Sequence, residues 1–258
     1  MKFLPRLFAL TSFTIVLSLT PSSHSVLPFQ NWKILDPGLE YGILEFEEGV
    51  YKTNIRLKVL KVDPRRYLIR IMHSKEYNDK KLSVKEFSDK SGAIAVINGG
   101  FFLSSYEPLG LIIQDSVVIN PVSRADWGIF LMEKGEPKII HTRDYRYNPS
   151  ISQALQVGPR LVVNGKIVKL KTQVSRRSAL GITRDKTLVL LVSEDSVVYA
   201  DDLAKIMRLS PSEGGLGCES ALNLDGGPSS QFYLNYKGFE DSVEGGSEVP
   251  SAVGIFAQ

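Results

Sequence analysis

The sequence of 258 residues contains a single cysteine, Cys218, and only three histidines. One cysteine excludes an internal disulfide, so the hydrophobic core has to stabilise the fold without a cross-link. No motif links Cys218 to a histidine that would activate it, and we expect it to be a small buried residue. Outside the N-terminal segment the histidines His73 and His141 are isolated, so a histidine-based metal or nucleophile site is not indicated.

Signatures of several enzyme classes are also missing. The chain has no H-E-x-x-H motif of a zinc protease, no G-x-S-x-G turn of a serine hydrolase, no P-loop and no dinucleotide fingerprint. Internal repeats, low-complexity tracts and heptads are absent as well. The chemistry that remains open is that of carboxylates, amides and arginines.

The one long apolar run, Leu7–Thr20, lies behind a basic start and before a stretch of small residues. It has about 14 residues, fewer than the roughly 20 needed to span a bilayer. This pattern predicts a cleaved signal peptide over residues 1–25, with an uncleaved anchor as the alternative. We therefore expect an exported protein, periplasmic or secreted, with no stable membrane span after cleavage. The mature chain, residues 26–258, has the length of one ordinary domain.

Net charge does not favour binding to nucleic acid. The formal charge is +3, and it falls to +1 when the predicted leader removes Lys2 and Arg6. A nearly neutral mature chain lacks the basic excess that draws a protein to a polyanion or a membrane surface.

Most of the mature chain alternates apolar and polar residues at period two, which is typical of half-buried strands. Asn164-Gly165 between two such runs predicts a type I′ hairpin. Helical signals are few: Ser83 and Glu86 form a capping box before a helix that Gly92 ends, and a second apolar helix begins near Asp201. We predict an α+β fold, a single mainly-β domain with a mixed sheet and two or three short helices.

Two stretches share one design, "VINGGFF" and "NLDGGPSS". Each runs from an apolar strand into a short polar side chain, Asn98 or Asp225, and then into a glycine pair. Glycine allows a positive φ and a close approach of backbone to ligand, and successive N–H groups can form an anion-binding nest. One such element alone is more simply a tight turn. Two of them, each after a helix and a buried strand, indicate a site.

Arginines stand at the start of two further strands. Arg177 lies in "SRRSALGIT" and Arg160 in "QVGPRLVVNG". Arginine binds phosphate and carboxylate in a bidentate manner, so either guanidinium is a candidate contact for an anionic group. For Arg160 a solvated charge at a strand end is the alternative.

These segments, together with "CESALNLDGGPSSQFY" and the closing "VPSAVGIF", resemble the phosphodiester glycosidase family in order and spacing. The resemblance covers roughly residues 40–258 and is strongest to exported bacterial members. It implies hydrolysis of sugar-1-phosphodiesters on the sugar side, releasing a sugar and a phosphomonoester, on phosphorylated glycans of the envelope or of exopolysaccharide. Pro228 replaces a frequent third glycine and removes one backbone N–H, which bears on substrate identity.

The resemblance also implies roles for particular residues. Asp225 would be the nucleophile or the base for water, Arg177 would stabilise the phosphate, and Glu219 is a weaker candidate for a partner carboxylate or else a surface acid. The candidate substrate-binding residues are Asn98, Gly99, Gly100, Arg160, Asn223, Gly226, Gly227, Ser229 and Ser230. Calcium or magnesium stays open as a cofactor, since oxygen ligands are plentiful but no ligand spacing is recognisable.

Two other functions remain compatible with the sequence. The same residues could belong to a non-catalytic envelope module that binds phosphorylated glycans, or the glycine motifs could be folding devices of a structural domain. Only the enzyme requires Asp225 for turnover, so this residue separates the hypotheses.

Overall fold

The computed structural model describes residues 32–48 and 53–258, so the predicted signal peptide over residues 1–25 lies outside the described residues. The largest sheet contains, in spatial order, β1 (Lys33–Asp36), β2 (Leu39–Glu48), β3 (Thr53–Val62), β15 (Leu188–Glu194), β14 (Ser178–Thr183), β17 (Cys218–Asn223), β11 (Arg160–Val163) and β12 (Lys166–Ile167).

Two five-stranded sheets and one small sheet complete the β-structure. The first five-stranded sheet contains β19 (Phe239–Val243), β18 (Phe232–Tyr236), β5 (Ala95–Asn98), β20 (Ser251–Ala257) and β4 (Tyr67–His73). The second contains β7 (Val117–Asn120), β6 (Ile112–Gln114), β10 (Ile151–Val157), β8 (Gly128–Glu133) and β9 (Glu136–His141). The small sheet pairs β13 (Val174–Ser175) with β16 (Val198–Tyr199).

Helices are short and few in the described part of the chain. The α-helices are α1 (Val84–Ser91) and α2 (Ala200–Arg208), and the 3₁₀-helices are Ser74–Tyr77, Thr142–Asp144, Pro211–Glu213 and Gly227–Ser229. No helix in these ranges is long and apolar enough to cross a membrane. The prediction of a mainly-β α+β fold with short helices is confirmed.

The predicted mixed sheet is replaced by antiparallel pairing between all neighbouring strands of the described residues. Helix α1 does connect two parallel strands, β4 and β5, but β20 from the end of the chain lies between them. In the same way β14 lies between β15 and β17, the strands of this sheet that precede and follow α2 in the sequence. The two helices that connect parallel strands were predictable from the residues around them. The strands inserted between those parallel strands come from distant parts of the sequence.

The three larger sheets share one core. Leu60 of β3, Ile97 of β5, Phe130 of β8 and Leu222 of β17 are all fully buried in it, and each such side chain stabilises the fold by roughly 1.5–3 kcal/mol. Helix α2 covers the other face of the eight-stranded sheet, and α1 covers the sheet that contains β5. Because β5 and β17 enter the same core, their carboxyl ends come to one edge of the molecule.

The structure confirms the predicted capping box, the predicted hairpin turn and the predicted burial of the cysteine. The Ser83 hydroxyl accepts the Glu86 N–H, the Glu86 carboxylate accepts the Ser83 N–H, and Gly92 ends α1 with φ of +78°. Asn164 and Gly165 both have positive φ between β11 and β12, as a type I′ hairpin requires. Cys218 is fully buried and free, and burial raises the pKa of its thiol to about 12, which excludes a thiolate near neutral pH.

Candidate active site

The two glycine-pair motifs meet at one edge of the structure. The Asp225 N–H donates to the Gly99 carbonyl at 3.1 Å, and the Asn98 side-chain amide donates to the Asp225 carbonyl at 2.8 Å. These two hydrogen bonds join the end of β5 to the end of β17. The structure therefore brings together the elements that the sequence singled out separately.

Asn98 links three segments around this junction. Besides donating to Asp225, its side-chain oxygen accepts from the Ser178 hydroxyl at 2.7 Å and from the Gln231 N–H at 3.2 Å. The residue is fully buried. Asn98 thus holds β14, β17 and the start of β18 in register rather than presenting its amide to solvent.

The glycines permit close packing at the junction. A Cβ on Gly99 would lie 2.5 Å from the Ser251 hydroxyl and 2.8 Å from the Ser251 carbonyl, and one on Gly226 would lie 2.9 Å from the Arg176 carbonyl. Gly227 adopts φ of +60°. A side chain at these positions would clash with backbone or require a left-handed conformation, so glycine is needed for steric reasons.

Most of the glycine N–H groups are already used within the protein. Gly99 donates to the Ser251 carbonyl, Gly227 to the Arg176 carbonyl, and Gly226 to the Asp225 carboxylate at 2.9 Å. The Gly100 N–H has no hydrogen bond among the described residues. The expected nest of free donors is therefore reduced to Gly100 in this structure.

The Asp225 carboxylate is half-buried beside the Gly227–Ser229 turn. Burial raises the pKa of Asp225 above its usual value, while hydrogen bonds from the Ser229 hydroxyl and the Gly226 N–H oppose that rise. A carboxyl group whose pKa is shifted by burial beside a polar site is a candidate for proton transfer.

Arg177 is buried and holds only neutral partners. Its guanidinium donates to the carbonyls of Val198 at 3.1 Å and Gln173 at 2.5 Å, and to the Asn223 side-chain oxygen at 3.4 Å. No carboxylate lies within 4.0 Å of it in the part of the chain that the structure describes. Desolvation lowers the pKa of Arg177, yet a guanidinium remains charged at any ordinary pH.

A buried cation without a counter-ion is unusual, because taking a charge out of water is costly unless an anion compensates it. Asn223, which contacts Arg177, is itself buried and lies two residues before Asp225. The charged Arg177 side chain thus contacts a residue that lies two positions before Asp225 in the sequence. This arrangement has the electrostatics of a site for an anionic ligand.

Arg176 is a further site residue that the sequence analysis did not select. Its Nη2 donates to the carbonyls of Ser230 at 3.2 Å and Glu244 at 2.7 Å, and its own carbonyl accepts from Gly227. Adjacent residues at the start of a strand point to opposite faces. Arg177 therefore enters the interior, while Arg176 fastens the loop that carries Asp225. The alternation of side chains along a strand would have predicted this difference if the start of β14 had been known from the sequence.

The two serines of this loop differ in their contacts. Ser229 is buried, and its hydroxyl lowers the pKa of the nearby Asp225 carboxyl. The Ser230 hydroxyl is buried without a partner among the described residues, as is Nε of Arg176, whose Nη2 contacts the Ser230 carbonyl.

The structure does not bring Glu219 to Asp225. Glu219 lies at the opposite end of β17, where its carboxylate is 3.4 Å from Arg184 and 4.0 Å from Arg208. At about 3.3 Å per residue, an extended chain separates Glu219 from Asp225 by roughly 20 Å. Its surroundings are those of a surface acid paired with two arginines.

Arg160 lies next to the site but faces another way. It is paired with Leu222 across β11 and β17, and both side chains pack on Gly128, where a Cβ would lie 2.8 Å from the Arg160 Cγ. Asn223 and Arg177 belong to the opposite face of the sheet. Arg160 instead lines a small cavity of about 210 Å³ with His141 and Asp144.

The described residues contain no group of three or more His, Cys, Asp or Glu side chains that could hold a metal ion. The site around Asp225 consists of one carboxylate, amides, hydroxyls and guanidinium groups. Calcium and magnesium usually bind several carboxylate oxygens, so one carboxylate beside the guanidinium groups of Arg176 and Arg177 offers either ion a less favourable site.

Comparison with solved structures finds the same fold in other proteins. The fold resembles the catalytic domain of zebrafish N-acetylglucosamine-1-phosphodiester alpha-N-acetylglucosaminidase, solved in a state auto-inhibited by its pro-peptide, with a TM-score of 0.69, 16% identity, and coverage of 91% of this chain and 88% of that one. A hypothetical protein from Synechocystis matches with a TM-score of 0.63 and 13% identity over 88% of this chain and 63% of the other. At these identities the likeness concerns the fold alone.

Sequence comparison gives two further matches. YigE of Escherichia coli (strain K12), itself uncharacterized, is 28% identical over 143 residues, which are 50% of this chain and 54% of that protein. The chain thus spans about half the length of that relative. The model of the phosphodiester glycosidase family matches residues 91–256, more than half of the chain and all of the site described above. The chain belongs to the phosphodiester glycosidase family.

Proposed function

We propose that the protein hydrolyses glycosyl-1-phosphodiesters on the sugar side, releasing a sugar and a phosphomonoester. The observation that carries this proposal is a buried guanidinium, Arg177, that has no counter-ion among the described residues and donates to the Asn223 side chain, two residues before the half-buried carboxylate of Asp225. A sugar-1-phosphodiester supplies an anion for the guanidinium and an anomeric carbon for the carboxylate.

The chemistry suits a site with one acidic residue. Cleavage of the bond between the anomeric carbon and the bridging oxygen leaves that oxygen on phosphorus, and the diester monoanion becomes a phosphomonoester dianion. With a second pKa near 6, this leaving group needs less protonation than a sugar alcohol would. Arg177 would stabilise the growing negative charge, since preorganised donors in a water-poor site act most strongly where charge develops.

Asp225 would act on the other side of the broken bond. Either it removes a proton from water as the water attacks the anomeric carbon, or it attacks that carbon itself and forms a glycosyl ester that water then hydrolyses. Both routes consume one water and require the ionised carboxylate. Ser229 and the Gly226 N–H stabilise that ionised form.

We propose phosphorylated glycans of the cell envelope or of exopolysaccharide as the substrate class. The predicted signal peptide supports this choice, as does the structural likeness to a candidate exported protein of Burkholderia pseudomallei K96243, which has a TM-score of 0.56 and 14% identity over 80% of this chain and 74% of that one.

The test is hydrolysis of N-acetylglucosamine-1-phosphodiesters and related sugar-1-phosphodiesters in ¹⁸O-labelled water. Cleavage on the sugar side places ¹⁸O in the released sugar, whereas attack at phosphorus places it in the phosphate. The parent is compared with Asp225→Asn and with Asp201→Asn, an exposed acid in the first turn of α2 that serves as the acid-to-amide control. We expect labelled sugar from the parent and the control only.

A binding module for phosphorylated glycans is the second candidate function. One observation favours it: Glu219, the predicted partner carboxylate, is paired with Arg184 and Arg208 far from Asp225. Binding of sugar-1-phosphodiesters by a correctly folded parent that releases no product across the panel would establish this function in place of hydrolysis.

A further inference from the structure

A pair of aromatic rings belongs to two segments that adjoin the Asp225 site. Phe101 and Trp127 have ring centroids 5.0 Å apart at an angle of 59°. Both side chains are only partly buried, although Phe101 also packs against the main core. A tilted aromatic pair with exposed surface next to a polar site is a surface on which a ligand can pack.

The two rings belong to the segments that support the site. Phe101 follows the Gly99-Gly100 pair, and the Gly99 carbonyl accepts from Asp225. Trp127 lies against Gly158, where a Cβ would be 2.8 Å from the indole Cδ1. The next residue, Pro159, accepts the Asn223 N–H at 3.0 Å. The pair therefore bridges the segment next to Asp225 and the segment next to Asn223.

Main-chain hydrogen bonds fix the backbone that carries both rings, and the rings pack on each other. The Trp127 carbonyl accepts from the N–H and the hydroxyl of Thr142, at 3.1 and 3.0 Å, and the Phe101 carbonyl accepts from the Leu109 N–H at 2.9 Å. The indole N–H of Trp127 has no hydrogen-bond partner among the described residues. A fixed ring pair with a free donor loses little conformational entropy when a ligand binds.

We propose that Phe101 and Trp127 form the sugar-binding wall of the site. The apolar C–H face of a pyranose packs on the rings, the indole N–H donates to a ring hydroxyl, and the phosphate is directed towards Arg177. This proposal rests on the proposed function for the orientation of the substrate, and it adds the residues that select a sugar ring over other phosphate esters.

The first test needs no turnover. Trp32 and Trp127 are the two tryptophans of the chain, so a Trp32→Phe variant has Trp127 as its single tryptophan and reports on the wall directly. We expect its fluorescence to change with N-acetylglucosamine-1-phosphate and, at higher concentration, with N-acetylglucosamine, but not with inorganic phosphate. An unchanged spectrum with both sugars, or an equal change with phosphate alone, would overturn the proposal.

The second test separates binding from catalysis. Phe101→Ala and Trp127→Phe are compared with Phe102→Ala, since Phe102 stacks on Tyr106 at 5.8 Å and packs in a different cluster. We expect KM for a sugar-1-phosphodiester to rise roughly tenfold in Phe101→Ala with a much smaller change in kcat. A smaller rise is expected in Trp127→Phe and none in Phe102→Ala.

The outcomes distinguish this proposal from the proposed function. Normal KM values in both wall variants of an active parent would refute the wall and leave the hydrolase intact. A fluorescence response of the Trp32→Phe variant to the sugars, with no turnover of any substrate by the parent, would support the wall and refute the hydrolase. Melting temperatures of all variants show whether a loss reflects the site or the fold.

Discussion

Asn98 donates its side-chain amide to the main-chain oxygen of Asp225 at 2.8 Å, although 127 positions separate the two residues in the chain. The same amide group accepts from Ser178 and Gln231. One buried side chain thus fixes the end of β5, the entrance of β14 and both sides of the Asp225 loop. Together with the contacts of Arg176 to the same loop, this side chain fixes the position of the carboxylate.

Asn98→Ala should therefore reduce both stability and turnover. It leaves the Ser178 hydroxyl and the Gln231 N–H without their acceptor inside the protein, and each unsatisfied buried group costs about 1–3 kcal/mol. Urea unfolding should show a loss of at least about 2 kcal/mol. Ser178→Ala, which removes one of these bonds, should lose less, and equal losses in the two variants would contradict the central position of Asn98.

Asp225→Asn should abolish turnover without lowering the melting temperature at pH 7. Burial raises the pKa of Asp225 above its unfolded value of 3.8, so the folded protein holds the proton more tightly than the unfolded chain. The free energy of unfolding of the parent then falls as pH rises from 3.8 through the folded pKa, and the full loss of stability is reached above the folded pKa. The neutral side chain of Asp225→Asn does not ionise, so the variant does not lose this stability.

Thermal unfolding of both proteins checks this prediction, with each kcal/mol worth about 2–4 °C at this size. The advantage of Asp225→Asn should disappear below pH 3.8, where the parent is protonated as well. A variant that melts lower than the parent at pH 7 would show that the carboxylate stabilises the fold.

The pH dependence of kcat/KM should report on the same group. The ionised carboxylate is the active form in either proposed route, so activity should fall as pH decreases through the raised pKa of Asp225. Ser229→Ala removes a hydrogen bond that lowers this pKa, and it should move the acid limb to higher pH. An acid limb that stays in place in Ser229→Ala would assign it to another group.

Arg177→Met should lose substrate affinity while keeping the fold. The methionine fills a buried position without a charge, and the desolvation cost of the cation disappears. This gain offsets the cost of leaving the oxygens of Val198, Gln173 and Asn223 without their donor. Loss of a charged contact to the phosphate should lower kcat/KM by roughly 10- to 100-fold. Steady-state kinetics at low and high salt measure this loss, and circular dichroism is the folding control. An unchanged kcat/KM would show that Arg177 does not contact the substrate.

Glu219→Gln should retain turnover. Its carboxylate is about a third exposed and paired with Arg184 and Arg208, and surface ion pairs contribute about 0–1 kcal/mol. We expect kcat within about twofold of the parent and a small change in melting temperature. A loss of turnover as complete as that of Asp225→Asn would make Glu219 a catalytic residue despite its distance.

Short-range features were predictable because their physics is local. The capping box of Ser83 and Glu86, the stop at Gly92 and the hairpin turn at Asn164-Gly165 each depend on hydrogen bonds or φ values within a few residues. Period-two alternation similarly predicts strands wherever one face is buried. The signal peptide stays a prediction, since it lies outside the described residues.

The partners of the strands were not predictable in this way. β20 enters between β4 and β5, and β14 enters between β15 and β17, so the expected mixed sheet became antiparallel. Neither insertion has a local sequence signal, because pairing between distant segments depends on which apolar faces bury each other in the assembled core.

The residues around Asp225 show the same division. Composition and motifs alone identified an acid and two glycine pairs at strand ends, arginines at strand entrances, and the family to which the chain belongs, because residue type and spacing carry that information. Only the tertiary structure decided that Arg177 is buried without a counter-ion while Arg176 fastens the loop, and that Glu219 lies elsewhere. Strand register, which long-range packing determines, selects the face on which each side chain lies.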